Sequence, residues 1–187
     1  KDAKLKPEDL DLIIVATITP DMFFPSTACI LQKRLRAGTI PAFDVNVACS
    51  GFIYGIAIAN QFIKSGMHKH VLVVASEKMS SVTDWSDRGT CVLMGDGAGA
   101  AVLGEVKDGG ILSIYLGADG SKGDLLKMPA GGSRIPASIK SVEAGLHYMK
   151  MNGNELFKYA VKLMADAAPK ATEPLGLKGD DIDLGIP

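Results

Sequence analysis

Two hydrophobic periods alternate along the chain. Leu10 to Thr19 is an apolar, β-branched run that predicts a buried strand, broken by Pro20-Asp21. Ser26 can cap a helix with Ala28, Leu31 and Leu35 on one face, ending near Gly38. Ile40 to Val47 reads as a second strand. From Cys49 the period turns helical, with Phe52, Ile53, Ile56, Ala59 and Ile63 on one side and Gly66 as the stop. Val71 to Ala75 is a third, wholly apolar strand. Residues 80–90 read as a polar loop, and Gly95 to Gly99 as a glycine-rich turn into a strand over Ala100–Leu103, with Asp96 accepting N–H bonds inside that turn. Gly110-Ile111 opens a further strand to Leu116. Residues 119–141 form a Gly/Pro-rich excursion whose length suggests a functional loop. A helix is predicted over Asn154–Ala168, with Leu156, Phe157, Ala160, Val161 and Met164 on its apolar face, and Pro169 should end or kink it. Strands alternating with helices imply a mostly parallel sheet covered on both faces.

One pattern recurs. Leu5-Lys6-Pro7-Glu8-Asp9-Leu10-Asp11-Leu12-Ile13-Ile14 matches Leu177-Lys178-Gly179-Asp180-Asp181-Ile182-Asp183-Leu184-Gly185-Ile186, an offset of 172 residues. That spacing is far too long for a solenoid and predicts a duplicated α/β half; chance matching of common residues is the alternative. On the duplicated reading the second copy stops inside its strand at Pro187, so the sequence looks cut.

The chemistry centres on Cys49, between a strand and a helix. Free N–H groups and the positive end of a helix dipole favour a thiolate there and should lower its pKa, and they could stabilise an oxyanion on a thioester carbonyl. The other reading is a buried inert thiol. Cys29 and Cys91 lie in apolar segments and read as inert core thiols. With 187 residues and 47% hydrophobic residues there is ample core for one domain or most of one. The net charge of −1 argues against a general nucleic-acid binder. No apolar run is long enough to span a bilayer, and neither a signal peptide nor an initiator Met is present. Three Cys without a C-x-x-C pair fit a reduced, cytoplasmic thiol protein. His68, His70 and His147 show no metal-ligand spacing, and His68 and His70 read as flanking a surface turn.

Val47-Ala48-Cys49-Ser50-Gly51-Phe52, then Asp87-Arg88-Gly89-Thr90, then Gly95-Asp96-Gly97-Ala98-Gly99-Ala100-Ala101-Val102-Leu103 resemble β-ketoacyl-acyl carrier protein synthase III. Phe24-Pro25-Ser26 and Met151-Asn152-Gly153-Asn154-Glu155-Leu156-Phe157-Lys158 fit the same family, and the resemblance runs along essentially the whole chain. It implies a thiolase-like α/β fold of two duplicated halves in a layered architecture. Here that fold would be incomplete, with most of the first half over 1–106 and the start of the second over 107–187. It implies an acyltransferase that starts type II fatty-acid synthesis. A Cys takes an acyl group from acyl-CoA and condenses it with malonyl-acyl carrier protein, releasing carbon dioxide. The implied enzyme is a cytoplasmic homodimer that needs no cofactor or metal, acyl-CoA being a substrate, and it engages neither nucleic acid nor membrane.

The resemblance implies roles residue by residue. Cys49 corresponds to the acylated nucleophile, and its own N–H to one oxyanion donor. Arg88, followed by Gly89, corresponds to the Arg stacked on the CoA adenine; read by itself it is a solvated surface charge. Phe24 corresponds to the Phe that floors the acyl pocket of the partner subunit, and Met79, Met94 and Leu126 to pocket-lining positions; on pattern alone all four are ordinary core. Met151 and Gly153 correspond to residues near the pantetheine channel. Lys158 corresponds to a base that docks the acidic carrier protein, or it is the polar face of an amphipathic helix.

The family's enolate-stabilising His and Asn would follow Pro187, and by the repeat offset the first-half counterpart of that His is Ala16. The 187 residues alone are therefore expected to be incompetent in condensation. Two other readings remain at this point. One is another thiolase-fold condensing enzyme, of the polyketide-priming or hydroxymethylglutaryl-CoA synthase type. The other is a non-catalytic thiolase-like partner subunit, against which the presence of Cys49 argues.

Overall fold

The structure is a computed structural model and describes residues 2–186. The chain divides into two compact units. One comprises the residues up to Lys78 together with Asp96–Ile111; the other comprises Met79–Gly95 and the residues from Leu112 onward.

The first unit is built on a four-stranded sheet. Its strands are β1 (Leu12–Ala16), β2 (Ala42–Val45), β3 (His70–Lys78) and β4 (Asp96–Gly104), in the order β2-β1-β3-β4. β1 runs parallel to both β2 and β3, while β4 closes the edge antiparallel to β3. All five residues of β1 are buried, as a central strand covered on both faces requires. Its alternate residues feed two cores. Leu12 and Ile14 join Val71 and Val73 beneath α2 (Gly51–Lys64), which contributes Phe52, Ile56, Ala59 and Ile63. Ile13 and Val15 join Leu72 and Val74 beneath α1 (Thr27–Leu35), which contributes Ala28, Leu31 and Leu35. The period of two along β1 thus divides one strand between two helices.

Helix α2 approaches the sheet through a stripe of small residues. A Cβ placed on Gly51 would lie 2.8 Å from the Ala16 Cβ, and one on Gly55 would lie 2.8 Å from Val73 Cγ1. Ala59, one turn further, is fully buried. Neither neighbour can move aside, since Ala16 has no side-chain torsion and Val73 is buried and β-branched.

Several expected boundaries shift. The glycine-rich segment is no turn: Gly97 and Gly99 are ladder residues of β4, and Asp96 stands opposite Lys78. The strand expected over 110–116 does not form. Gly109 (φ 77°) and Gly110 (φ 100°) carry the backbone through the left-handed region, and no strand beside 110–116 is present among the described residues to complete a ladder. The polar loop holds a 3-10 turn at Met79–Ser81 and the short helix α3 (Arg88–Cys91). The Gly/Pro-rich excursion contains a 3-10 stretch at Gly120–Leu125, the strand β5 (Leu126–Lys127) and helix α4 (Ile139–Glu143). β5 pairs antiparallel with β6 (Lys150–Met151). Helix α5 runs over Gly153–Thr172, straight through Pro169. Proline's fixed φ is helical, and its carbonyl still accepts the N–H of Glu173, so the helix closes one turn later than expected. Its predicted apolar face is divided: Leu156 and Ala160 are half-buried, whereas Phe157, Val161 and Met164 are exposed.

The start of the ten-residue match takes the same local structure in both places. Pro7–Asp9 and Gly179–Asp181 are both single 3-10 turns. In the first, the Lys6 N–H donates to Asp9 Oδ2 at 2.8 Å and the Asp9 N–H to the Lys6 carbonyl at 3.0 Å. In the second, the Lys178 N–H donates to Asp181 Oδ2 at 2.7 Å and the Asp181 N–H to the Lys178 carbonyl at 3.0 Å. The residues that recur include the ones that make these bonds. Pro187 lies outside the described residues.

Asp11 then fastens β1 to β3. Its Oδ2 accepts the N–H groups of Lys69 (2.7 Å) and His70 (2.9 Å), and His70 Nδ1 lies 3.0 Å from the Asp9 carbonyl. His70 is thus a strand residue. His68 lies against the Phe62 ring, 5.1 Å between centroids.

Two outcomes are expected. Gly55→Val should destabilise the protein by about 1–3 kcal/mol in urea unfolding, the usual cost of overpacking a rigid core. A Val at Gly38, where a Cβ meets nothing, tests backbone strain alone because φ there is 75°. Asp11 is held below the ordinary carboxylate pKa, first by the His70 N–H and then by that of Lys69. Its contribution is therefore complete above the unfolded value near about pH 4 and is lost as pH falls through the lower folded value. The stability difference between the native protein and Asp11→Asn should shrink on acidification; a difference independent of pH would contradict this role for the carboxylate.

Candidate active site

Strand β2 leaves the sheet at Val45, and within six residues the chain has reversed into α2. Val47 sits at φ −136°, ψ 28°, and Ala48 takes φ 45°, a left-handed backbone that a non-glycine residue adopts at a cost of about 1 kcal/mol. Ala48, Cys49 and Ser50 form a single 3-10 turn, closed by the Ser50 N–H on the Val47 carbonyl (3.2 Å) and the Gly51 N–H on the Ala48 carbonyl. Cys49 therefore lies two residues ahead of the first α2 residue and not inside the helix. No side chain caps α2 at Ser50. The tight seat of Gly51 on Ala16 places this turn directly at the end of β1. Cys49 is exposed, which sets aside the buried-thiol reading.

The other two thiols differ. Cys29 is half-buried on α1, its Sγ 3.6 Å from the Ala42 carbonyl, and Cys91 is half-buried at the end of α3. Neither is the fully buried core thiol expected, because each sits at the margin of a helix and not beneath it. Phe24 is no core residue either. It is 84% exposed, on the segment between β1 and α1, beside the equally exposed Phe23.

The second unit holds the remaining candidates. Met79 opens the 3-10 turn, and its carbonyl accepts the Thr83 hydroxyl at 2.7 Å. Arg88 and Gly89 begin α3, whose cap is Asp87. That carboxylate accepts the Gly89 N–H (2.9 Å) and the buried Thr90 hydroxyl (3.0 Å). Met94 follows α3 and is half-buried. Leu126 and Met151 are brought together as cross-strand partners of β5 and β6. Gly153 starts α5, and a Cβ there would sit 3.6 Å from Met151 Cε. Asn152 caps that helix, its Oδ1 accepting the Glu155 N–H at 3.4 Å. The Met149 N–H donates to the Val82 carbonyl at 2.8 Å, and Lys150 pairs with Asp84 at 3.7 Å, which joins the Met79 turn to the β5–β6 hairpin. Lys158 is exposed on α5 and paired with Glu155 at 3.2 Å. Leu126, Met151 and Gly153 thus form one contiguous set, while Lys158 stands apart on the outer face.

Three features escaped the sequence. Asp44 and Glu77, polar residues at strand ends, accept backbone N–H groups of the segment around Phe24. Asp119 accepts the Tyr159 hydroxyl and the Ser121 N–H, the first being the larger cause of a pKa lowered to about 2. A polar residue closing a strand was the available signal for the first two; nothing in the spacing pointed to the third.

Cys49 should be the first thiol alkylated under native conditions, given its exposure against the half-buried Cys29 and Cys91. Peptide mapping after brief iodoacetamide treatment checks this, and preferential labelling of Cys91 would contradict it.

The family of 3-oxoacyl-[acyl-carrier-protein (ACP)] synthase III matches residues 43–120 of this chain. A β-ketoacyl-[acyl-carrier-protein] synthase III of Caldanaerobacter subterraneus subsp. tengcongensis is 60% identical over 188 aligned residues, covering 100% of this chain and 57% of that protein. The protein of the same description from Natranaerobius thermophilus is 56% identical, covering 98% of this chain and 57% of its own length. The crystal structure of 3-oxoacyl-[acyl-carrier-protein] synthase III from Aquifex aeolicus VF5 superposes with a TM-score of 0.86 at 46% identity, covering 98% of this chain and 55% of that one. The chain thus spans a little over half the length of the relatives it matches, and its α/β fold is thiolase-like. In sequence from end to end and in fold, this chain is similar to the β-ketoacyl-acyl carrier protein synthase III family.

Proposed function

We propose that this chain carries the acyl-accepting part of an acyltransferase that initiates type II fatty-acid synthesis. The observation that supports it most directly is the exposed Cys49 on a left-handed elbow between β2 and α2. The Cys49 thiolate attacks the carbonyl of an acyl-CoA, the new C–S bond forms, and the CoA sulfur leaves with the electron pair of the broken thioester bond. A thiolate suits both roles because it attacks well and leaves well. The Cys49 N–H serves as one donor to the tetrahedral oxyanion. In the second stage malonyl-acyl carrier protein loses carbon dioxide. The electron pair of the broken C–C bond becomes an enolate, which attacks the acyl-Cys49 carbonyl and releases the Cys49 thiolate. The reaction consumes acyl-CoA as a substrate and uses no cofactor or metal. The His and Asn that the resemblance assigns to the enolate would follow Pro187, so condensation is proposed for the chain completed to the length of its relatives.

The remaining roles follow the same reading. Phe24 floors the acyl pocket of a second subunit in a homodimer; its exposure suits a residue that finds its contacts elsewhere. Met79, Met94 and Leu126 line the pocket. Met151 and Gly153 border the pantetheine channel, and the pairing of Met151 with Leu126 across the two strands fits that reading. Arg88 stacks its planar guanidinium on the CoA adenine, at the start of the short helix that Asp87 caps, with Gly89 beside it. Lys158 offers a positive charge to the acidic carrier protein. Residues 1–106 and 107–187 belong to the two duplicated halves, a division that the 3-10 turns recurring at Pro7–Asp9 and Gly179–Asp181 support. The protein acts in the cytoplasm. The described residues contain no helix long and apolar enough to cross a membrane. A non-catalytic subunit is less well supported, since the nucleophile is both present and accessible.

Acyl loading tests the reading. Incubation of the completed chain with acetyl-CoA should add one acetyl group to the peptide carrying Cys49, and Cys49→Ala should abolish it. Acetylation at Cys29 or Cys91, or none at all, would overturn the proposal.

A further inference from the structure

The segment from Thr17 to Thr27 leaves the sheet after β1 and returns to it at the start of α1. Its tip carries Met22, Phe23 and Phe24, all exposed. An exposed apolar tip gains nothing from its own chain, so something else must hold its conformation. Two strand carboxylates do so. At the outgoing end, the Ile18 N–H donates to Glu77 Oε1 at 3.0 Å and the Thr19 hydroxyl donates to Glu77 Oε2 at 2.8 Å. The Thr19 hydroxyl oxygen accepts in turn the N–H of Lys78 at 2.7 Å, the Thr19 N–H donates to Thr17 Oγ1 at 3.0 Å, and Thr17 is itself buried. At the returning end, Asp44 accepts the N–H groups of Thr27 and Ala28, each at 2.7 Å, and the Asp21 N–H donates to Thr27 Oγ1 at 3.3 Å. Charge-assisted bonds to backbone N–H groups are roughly twice as strong as neutral ones. Glu77 lies near the end of β3, beside the end of β1, and Asp44 lies in β2, five residues before Cys49.

We infer that Glu77 is a positioning residue for acyl-chain selectivity: its carboxylate fixes the outgoing end of the Thr17–Thr27 segment and thereby the place of Phe24. The inference rests on the proposed role of Phe24 as a pocket floor. The bonds of Glu77 run to the Ile18 N–H and the Thr19 hydroxyl, and its effect reaches the pocket through that segment. Asp44 does the equivalent at the returning end but also holds the N-terminus of α1, so its replacement would disturb the helix as well. Glu77 has no such second duty to a helix and is the cleaner probe.

The experiment uses the completed chain and reads the ratio of kcat/KM for acetyl-CoA to that for a longer, branched acyl-CoA. Phe24→Ala should change this ratio by ~10-fold or more, the scale of a methylene-sized change in an apolar pocket. Glu77→Ala should move it in the same direction, and the double variant should move it no further than Phe24→Ala alone. Glu77→Gln keeps one acceptor oxygen and should fall between. Hydrogen exchange at Ile18 and Lys78 should accelerate in Glu77→Ala while β1 stays protected. A purely structural role for Glu77 lowers the melting temperature and both rates together and leaves the ratio unchanged. If Glu77→Ala does not fold, Thr19→Val removes the hydroxyl bond to Glu77 while leaving that of the Ile18 N–H, and should move the ratio in the same direction by a smaller factor. A ratio altered by Phe24→Ala but untouched by Glu77→Ala or Thr19→Val, with or without faster exchange, overturns the inference and leaves the Phe24 reading standing. A ratio untouched by Phe24→Ala overturns the Phe24 reading, and the inference with it.

Discussion

The seat of α2 on the sheet is the constraint on which the first unit depends. Gly51 and Gly55 bring the helix so close that a single methyl group would collide with Ala16 or Val73. At that distance the helix backbone lies almost on β1 and β3, and its larger residues, Phe52, Ile56 and Ile63, cover the sheet on either side. The contact also determines the turn before the helix. With Gly51 held against Ala16, the chain leaving β2 has only Asn46 to Ser50 in which to reverse, and Ala48 absorbs the reversal in a left-handed backbone. Cys49 lies at this bend and is exposed.

Around that seat the strand ends are fastened by carboxylates. Asp11, Asp44 and Glu77 each accept two backbone N–H groups, or one together with a hydroxyl, from a segment distant in sequence. Each carboxylate stands at a place where the ladder ends and backbone donors would otherwise lack partners, which is where an anionic acceptor stabilises most. The consequence differs from site to site. Asp11 joins two strands, Asp44 joins a strand to a helix N-terminus, and Glu77 holds the beginning of an exposed aromatic tip. Rigid elements thereby extend their order into loops that have no core of their own.

The recurring turn links sequence to structure most directly. Lys6 and Asp9 recur as Lys178 and Asp181, and the same two hydrogen bonds recur with them, at distances within a tenth of an ångström. A turn of this kind is local. Its donors and acceptors lie three residues apart, so two copies fold alike even where their surroundings differ. The residues after it show how far locality reaches. Leu12 and Ile14 are fully buried in a central strand, whereas Leu184 and Ile186 are exposed.

The sequence by itself determined the elements whose signals are local: the β1 and β3 runs, the Ser26 cap, the helical period of α2, the repeated turn, and the place of Cys49 at a strand-to-helix junction. The family resemblance, carried by short motifs, was equally legible. Tertiary structure decided whatever depends on a partner distant in sequence. Gly97 and Gly99 became strand residues because β3 offered them a ladder, whereas 110–116 has no neighbouring strand among the described residues. α5 ran through Pro169 because proline forbids one donor but not the helical backbone. Phe24 read as core because aromatic residues usually are, yet it is exposed, on a segment whose two ends are bonded to Glu77 and Asp44. Hydrophobic periodicity records what a residue prefers to bury; only the assembled chain determines whether anything is there to bury it.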